Sequence, residues 1–121
     1  RSLSELSVND LPPFEEGIIS GAEAILVSHN TLVNIDNKPA SLSSGIHNLL
    51  RNEMNFSGVI ITDDLSMKAV STIEDVYVKA VLAGNDILMV SDYEENFIHN
   101  LCCAALCPDG VGTVSDCQFR L

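Results

Sequence analysis

Three short apolar runs constrain this chain more than anything else in it: "AEAILVSH" (22–29), "SGVIITDD" (57–64) and "NDILMVSD" (85–92). Each is continuous rather than alternating and rich in β-branched residues, the pattern of parallel strands covered on both faces. Each also closes on polar residues: Ser28 and His29, then Thr62, Asp63 and Asp64, then Ser91 and Asp92.

Between the runs the period becomes helical. In "SLSSGIHNLLRNEMNF" (41–56), Ile46, Leu49, Leu50 and Met54 share a face, with Ser41, Ser43 or Ser44 available as N-cap. In "STIEDVYVKAVLAG" (71–84) the face is Ile73, Val76, Tyr77, Ala80 and Val81, and Gly84 stands where a C-cap is expected. Upstream, "NDLPPFEEGIIS" (9–20) offers Asn9 or Asp10 as cap, prolines for a first turn, and a stripe of Phe14, Ile18 and Ile19. After the third run, Phe97, Ile98, Leu101, Ala104 and Ala105 again keep helical spacing. The order α-β-α-β-α-β-α requires a parallel sheet with right-handed crossovers. The strand ends recur every thirty residues or so, near the unit length of a (β/α)8 barrel of about 250 residues. Three strands cannot close a barrel, so the chain is either part of one or a small open sheet.

A length of 121 residues suits one compact domain, and 46% hydrophobic residues suffice for a packed core. Seventeen acids against six bases give a net charge of −11. That field repels phosphate, so neither nucleic acid nor an anionic membrane surface is an expected partner. No apolar stretch approaches the roughly 20 residues that cross a bilayer. The chain opens at Arg1 without a signal peptide and reads as a piece of a longer protein or a processed form. Cys102, Cys103, Cys107 and Cys117 lack the paired spacing of a metal knuckle and read as free, partly buried thiols, with a disulfide of unspecified pairing as the alternative; no metal and no cofactor are expected. The stretch "CPDGVGTVSDCQFRL" (107–121) breaks the pattern, and 108–121 is set apart as a tail.

In parallel α/β folds, functional residues collect at the carboxyl ends of the strands. The three polar sets are therefore expected on one rim. Adjacent strand residues point to opposite faces, so only one of Asp63 and Asp64 faces the axis. The competing role is structural, because an Asp just after a strand commonly caps the following helix. His29 is balanced between a hydrogen-bonded structural role and ligand contact. His47 and His99 lie on helix faces as surface or packing residues. Met67 reads first as core, and is kept beside His29 as a candidate substrate contact. Asp86, Ser91 and Asp92 read as turn and cap residues.

The segment "KPASLSSGIHNLLRNEMNFSGVIITDDLSMKAV" (38–70) resembles glycoside hydrolase family 3 in its bacterial β-N-acetylhexosaminidase branch. That branch shows a Pro-Ala-Ser-Leu-Ser-type segment, a helix ending Leu-Leu-Arg-x-Glu-Leu-Gly-Phe, then Gly-Val-Ile and an Asp-Asp-Leu-Ser-Met run. The corresponding residues here are Pro39 to Ser43, Leu49 to Phe56, and Gly58 to Met67. "LPPFEEGIISGAEAILVSHNTLVNID" (11–36) and "KAVLAGNDILMV" (79–90) are similar to the flanking parts of the same barrel. The resemblance implies an α/β fold, a partial TIM (β/α)8 barrel of roughly the last three βα units with parallel strands. Residues 1–107 would then be the carboxy-terminal portion of that barrel.

It also implies a retaining glycosidase that cleaves terminal N-acetylglucosamine, including from peptidoglycan fragments. The family's nucleophile, the first acid of its Ser/Thr-Asp-Asp motif, falls on Asp63; the family's sugar-holding Lys, His and Arg lie earlier in its chain, so His29 and Met67 stay candidate substrate contacts on their own reading. The partner is a carbohydrate substrate. The branch's acid/base is a His assisted by an Asp, on a loop after Lys-His-x-Pro-Gly-His-Gly. That motif is absent from this sequence, so the chain alone is expected to be inactive. Asn55 replaces the family's Gly before Phe56, Lys68 stands where a small residue is common, and 101–121 does not resemble the family's last helix. The rival expectation is a non-catalytic barrel fragment that survives by self-association through exposed sheet edges. Compartment stays open between bacterial cytoplasm and a secreted or cell-wall location.

Overall fold

The computed structural model describes residues 6–92. The elements are α1 (Pro12–Ile19), β1 (Ala24–Val27), α2 (Ser44–Asn48), β2 (Val59–Thr62) and α3 (Val76–Ala83). A π-helical turn, Leu6–Asp10, precedes α1; a 3-10 turn, Ala40–Leu42, leads into α2; a second π-helical turn, Leu49–Glu53, prolongs it. β1 and β2 pair in parallel, from Ala24 opposite Val59 to Val27 opposite Thr62. The fold class is α/β, as expected. The helix expected around 97–105, the four cysteines and the 108–121 tail lie outside the described residues.

The strand expected over 85–92 is reduced to one parallel bridge, Ile61 to Ile87. Side chains replace part of its ladder. Asp86 Oδ2 accepts the Ile60 N–H at 2.8 Å, and Thr62 Oγ1 accepts the Met89 N–H at 2.9 Å. Backbone bonds from Thr62 N–H to Ile87 O (3.0 Å) and from Leu65 N–H to Met89 O (2.9 Å) still hold the segment beside β2.

The helices are also shorter than their periodic patterns. Ser43 is the cap of α2: its Oγ accepts the Ile46 N–H at 3.2 Å and donates to Asp36 Oδ2 at 2.7 Å. That hydroxyl holds the Asp36 carboxyl below its ordinary value. Gly84 ends α3 at φ +117°, a left-handed cap that favours glycine. Ahead of α1 the expected cap fails. Asn9 and Asp10 belong to the preceding π-helical turn, and Leu11 enters α1 with no side-chain cap. Pro12 and Pro13 do occupy the first turn. Phe14 and Ile19 are exposed, and of the expected stripe only Ile18 packs against the core.

Two apolar clusters form that core. One joins Ile25, Val27 and Ile60 of the sheet to Ile46, Leu50 and Phe56; the other joins Leu42, Leu65, Val70, Val76 and Ala80. Burying each such aliphatic side chain is worth about 1.5–3 kcal/mol. Arg51 closes the loop into β2, donating to Phe56 O (3.0 Å), Gly58 O (2.6 Å) and Asp86 Oδ2 (2.7 Å) with its planar fork.

The continuous apolar runs call for cover on both faces of the sheet, and the described residues cover one. Ile25, Val27, Ile60 and Thr62 are buried beneath the helices. On the other face Leu26 and Ile87 are 50% and 49% exposed, and Val59 and Met89 are exposed beside them. The register sets Leu26 next to Ile61 and Ile61 next to Ile87, one apolar row across the open face.

Candidate active site

The parallel ladder runs one residue past β2, because the Asp63 N–H donates to Val27 O at 2.9 Å. Strand alternation therefore still holds at the two acids. Asp63 follows Val59 and Ile61 on the open face, and Asp64 follows Ile60 and Thr62 toward the helices. Both carboxylates are half-buried.

Their bonding differs sharply. Asp63 Oδ1 accepts the Asp64 N–H at 2.8 Å, the single hydrogen bond to its carboxylate among the described residues. Asp64 is saturated. Its Oδ1 accepts the N–H of Ser66 (2.9 Å) and of Ser91 (3.1 Å), and its Oδ2 takes a short hydrogen bond from the Ser91 hydroxyl. The Ser91 hydroxyl above all, with those two amides, holds the Asp64 carboxyl well below the usual carboxylate range. No helix starts behind it: residues 65–75 form turns, so Asp64 closes an Asx-type turn rather than capping a helix.

This linkage has a defined pH signature. The folded-state value of Asp64 lies below its unfolded value of 3.8, so its contribution to stability is complete above that pH and is lost as pH falls toward the folded value. The difference in urea midpoint between wild type and Asp64→Asn is therefore expected to stay constant from neutral pH down to about 5 and to shrink only below the ordinary carboxylate value. A gap that closes near neutrality would assign the linkage to another group.

The three polar sets meet as expected. His29, half-buried, makes two contacts across the rim: Nδ1 to Ser41 Oγ at 2.7 Å, and Nε2 to the Asp64 carbonyl oxygen at 2.9 Å. A carbonyl only accepts, so Nε2 carries the hydrogen. Both ring nitrogens of this candidate substrate contact are thus engaged within the chain. Met67, the other candidate, is exposed and does not join the core. The next turn is tied to the third segment as well: Ser66 Oγ donates to Asp92 O at 2.9 Å and accepts the Asp92 N–H at 3.0 Å.

Three members of this network have roles the sequence did not show: Ser41 and Ser91 read there as cap or turn residues, and Asn85 stands there only inside an apolar run. Ser41 is fully buried, bonding His29 by its hydroxyl, Ser28 O by its N–H (3.0 Å) and Asn85 Nδ2 by its carbonyl (2.7 Å). Ser91 is the principal partner of Asp64, not a plain turn residue. Asn85 is buried and also donates to Ala80 O at 2.7 Å. The available signal was the polar residue set inside an apolar context, in "PASLSS" and "AGND". His47, read as a surface or packing residue, is buried with Nδ1 on Ser43 O at 2.7 Å.

A groove of about 620 Å³, lined by Leu11, Phe14, Leu26, Leu49 and Met54 among others, reaches Ser28 and Asn30 at the end of β1. Its lining is mostly apolar and includes neither Asp63 nor Asp64, so the acid-bearing rim is the candidate site on chemical grounds. Among the described residues no group of three or more His, Cys, Asp or Glu is placed to hold a metal ion.

Residues 1–106 match the glycosyl hydrolase family 3 N-terminal domain. A β-hexosaminidase of Stenotrophomonas maltophilia (strain K279a) is 36% identical over 94 residues, 74% of this chain and 28% of that protein. One from Xylella fastidiosa (strain M23) is 39% identical over the same shares. Among solved structures, a family 3 β-N-acetylglucosaminidase from Paenibacillus sp. str. FPU-7 superposes with a TM-score of 0.81 at 32% identity, over 91% of this chain and 22% of that one. NagZ from Neisseria gonorrhoeae, in complex with N-trifluoroacetyl-D-glucosamine, superposes with a TM-score of 0.66 at 35% identity, over 74% of this chain and 26% of that one. The chain thus spans little more than a quarter of the length of the hexosaminidases it matches.

Proposed function

Because the chain belongs to glycosyl hydrolase family 3, we propose that it is the carboxy-terminal part of that family's catalytic barrel, roughly the last three βα units. In the full-length protein it supplies the nucleophile of a retaining β-N-acetylhexosaminidase, and that nucleophile is Asp63. The substrate is a terminal N-acetylglucosaminide, with peptidoglycan fragments a natural source.

One observation carries the assignment: the two acids divide the work. Asp63 lies on the open face of the sheet with a lightly bonded carboxylate, while Asp64 has both oxygens bonded to Ser66 and Ser91. A nucleophile needs a lone pair directed at the anomeric carbon, and a carboxylate already accepting three hydrogen bonds has little to offer. Asp63 attacks, forms a glycosyl-enzyme and releases the leaving oxygen to an external acid; water then attacks the glycosyl-enzyme as that same group turns base. The apolar row Leu26–Ile61–Ile87 supports the barrel reading, since side chains of this kind fill a barrel interior when the remaining strands close it.

The experiment is hydrolysis of a chromogenic β-N-acetylglucosaminide by the full-length protein, with the anomer of the first product read by NMR. Turnover with retention is expected, together with none by this chain alone. Inversion, or turnover by the chain alone, would overturn the proposal. The uncovered Leu26–Ile87 face also favours the second reading, a fragment that self-associates. A monodisperse monomer of this chain that melts cooperatively would exclude it.

A further inference from the structure

We propose that His29 is a positioning residue for the reaction, holding the nucleophile through the backbone of Asp64; the inference rests on the assignment of Asp63 made above. His29 Nε2–H donates to the Asp64 carbonyl at 2.9 Å, and the Asp64 N–H donates to Asp63 Oδ1 at 2.8 Å. One residue therefore lies between the imidazole and the reacting carboxylate, and its two backbone polar groups are the links. The Asp64 N–H and C=O lie in successive peptide planes joined by Asp64 φ and ψ, so a grip on the carbonyl restrains the plane that carries the N–H, and with it how the Asp63 carboxylate is turned.

The support behind His29 is built in. Its Nδ1 contacts the hydroxyl of Ser41, which is fully buried, and the Ser41 carbonyl accepts from the buried Asn85 amide at 2.7 Å. This relay starts at the end of α3, passes through the turn before α2, and ends at the acids. From the other side, Ser91 holds the Asp64 carboxylate by its amide and its hydroxyl. Asp64 is gripped on its carbonyl from the β1 end and on its side chain from the third segment, the two neighbours of β2. With both ring nitrogens occupied in this way, His29 has no polar atom left for a sugar, and its effect on the reaction passes through Asp64.

Positioning and substrate contact separate kinetically. A lost substrate contact raises KM; a displaced nucleophile lowers kcat. In the full-length protein, His29→Ala is expected to lower kcat by about ten- to a hundredfold, the scale of an ångström-sized misplacement, with KM changed less than about twofold. The rate constant for labelling of Asp63 by a mechanism-based fluorosugar of N-acetylglucosamine should fall by the same factor. His29→Gln, whose amide N–H can reach the same carbonyl, should restore most of the loss. Should His29→Ala fail to fold, Ser41→Ala removes only the outer link and is expected to slow labelling severalfold. A raised KM at unchanged kcat, equal defects in the Ala and Gln variants, or wild-type labelling rates in Ser41→Ala when His29→Ala cannot be tested would overturn the inference. Wild type labelled at Asp63 while His29→Ala labels at the same rate removes this inference alone. Wild type labelled elsewhere removes the assignment of Asp63 and this inference with it.

Discussion

Asp63→Ala in the full-length protein is expected to lose turnover on the order of 10⁴-fold or more, the scale seen when the nucleophile of a covalent mechanism is removed. The same variant should abolish covalent labelling by the fluorosugar while leaving the fold in place. Its carboxylate accepts one local hydrogen bond from Asp64 N–H, so truncation costs no more than about 1 kcal/mol of stability. Asp64→Ala should reverse the balance. It strips the acceptor from two amides and a hydroxyl that join the turn to Ser66 and Ser91, so stability falls first and activity falls through misplacement, by roughly a hundredfold. Residual turnover in Asp63→Ala within tenfold of wild type, or a larger kinetic defect in Asp64→Ala, would show that the nucleophile lies elsewhere.

A large loss of stability is expected from a side chain at Gly58. A Cβ there would fall well inside contact distance of the Glu23 carbonyl oxygen and 2.6 Å from Cζ of Phe56. Neither neighbour can yield. Glu23 O accepts the Val59 N–H at 2.9 Å and so opens the β1–β2 ladder, and the Phe56 ring is buried in the first core cluster. Gly58→Ala should therefore cost about 3 kcal/mol, the upper end of ordinary overpacking, visible as a lowered urea midpoint at unchanged slope. A midpoint within experimental error of wild type would mean that the entry to β2 is looser than these contacts require. Arg51, which holds the Phe56 and Gly58 carbonyls from the other side, leaves the loop little room to back away.

The parts legible in the sequence were those that depend on period and on local chemistry. β1 and β2 sit inside their apolar runs, Ser43 caps α2, and Gly84 ends α3. The third run failed as a strand because Asp86 and Thr62 put side-chain oxygens where backbone carbonyls would pair, and a residue's apolar neighbours do not reveal that competition. The cap of α1 failed because Leu6–Asp10 is itself helical, which turned two good cap residues into interior ones. At the site, alternation implied that only one of Asp63 and Asp64 faces the axis, and the resemblance to the family named Asp63. The partners of His29 lie 12 and 35 residues away along the chain, and only the folded sheet brings them to it.

The rung from Asp63 N–H to Val27 O makes the proposed nucleophile part of the sheet backbone rather than of the loop that follows. The ladder holds its amide, and its carboxylate is restrained by the Asp64 amide. Ordering a loop-borne side chain at the moment of reaction would cost conformational entropy, of the order of 1–2 kcal/mol for the backbone of one residue. Here that loss belongs to folding. The barrier to attack no longer contains it, and the two side-chain torsions of one aspartate are all that remain to be set.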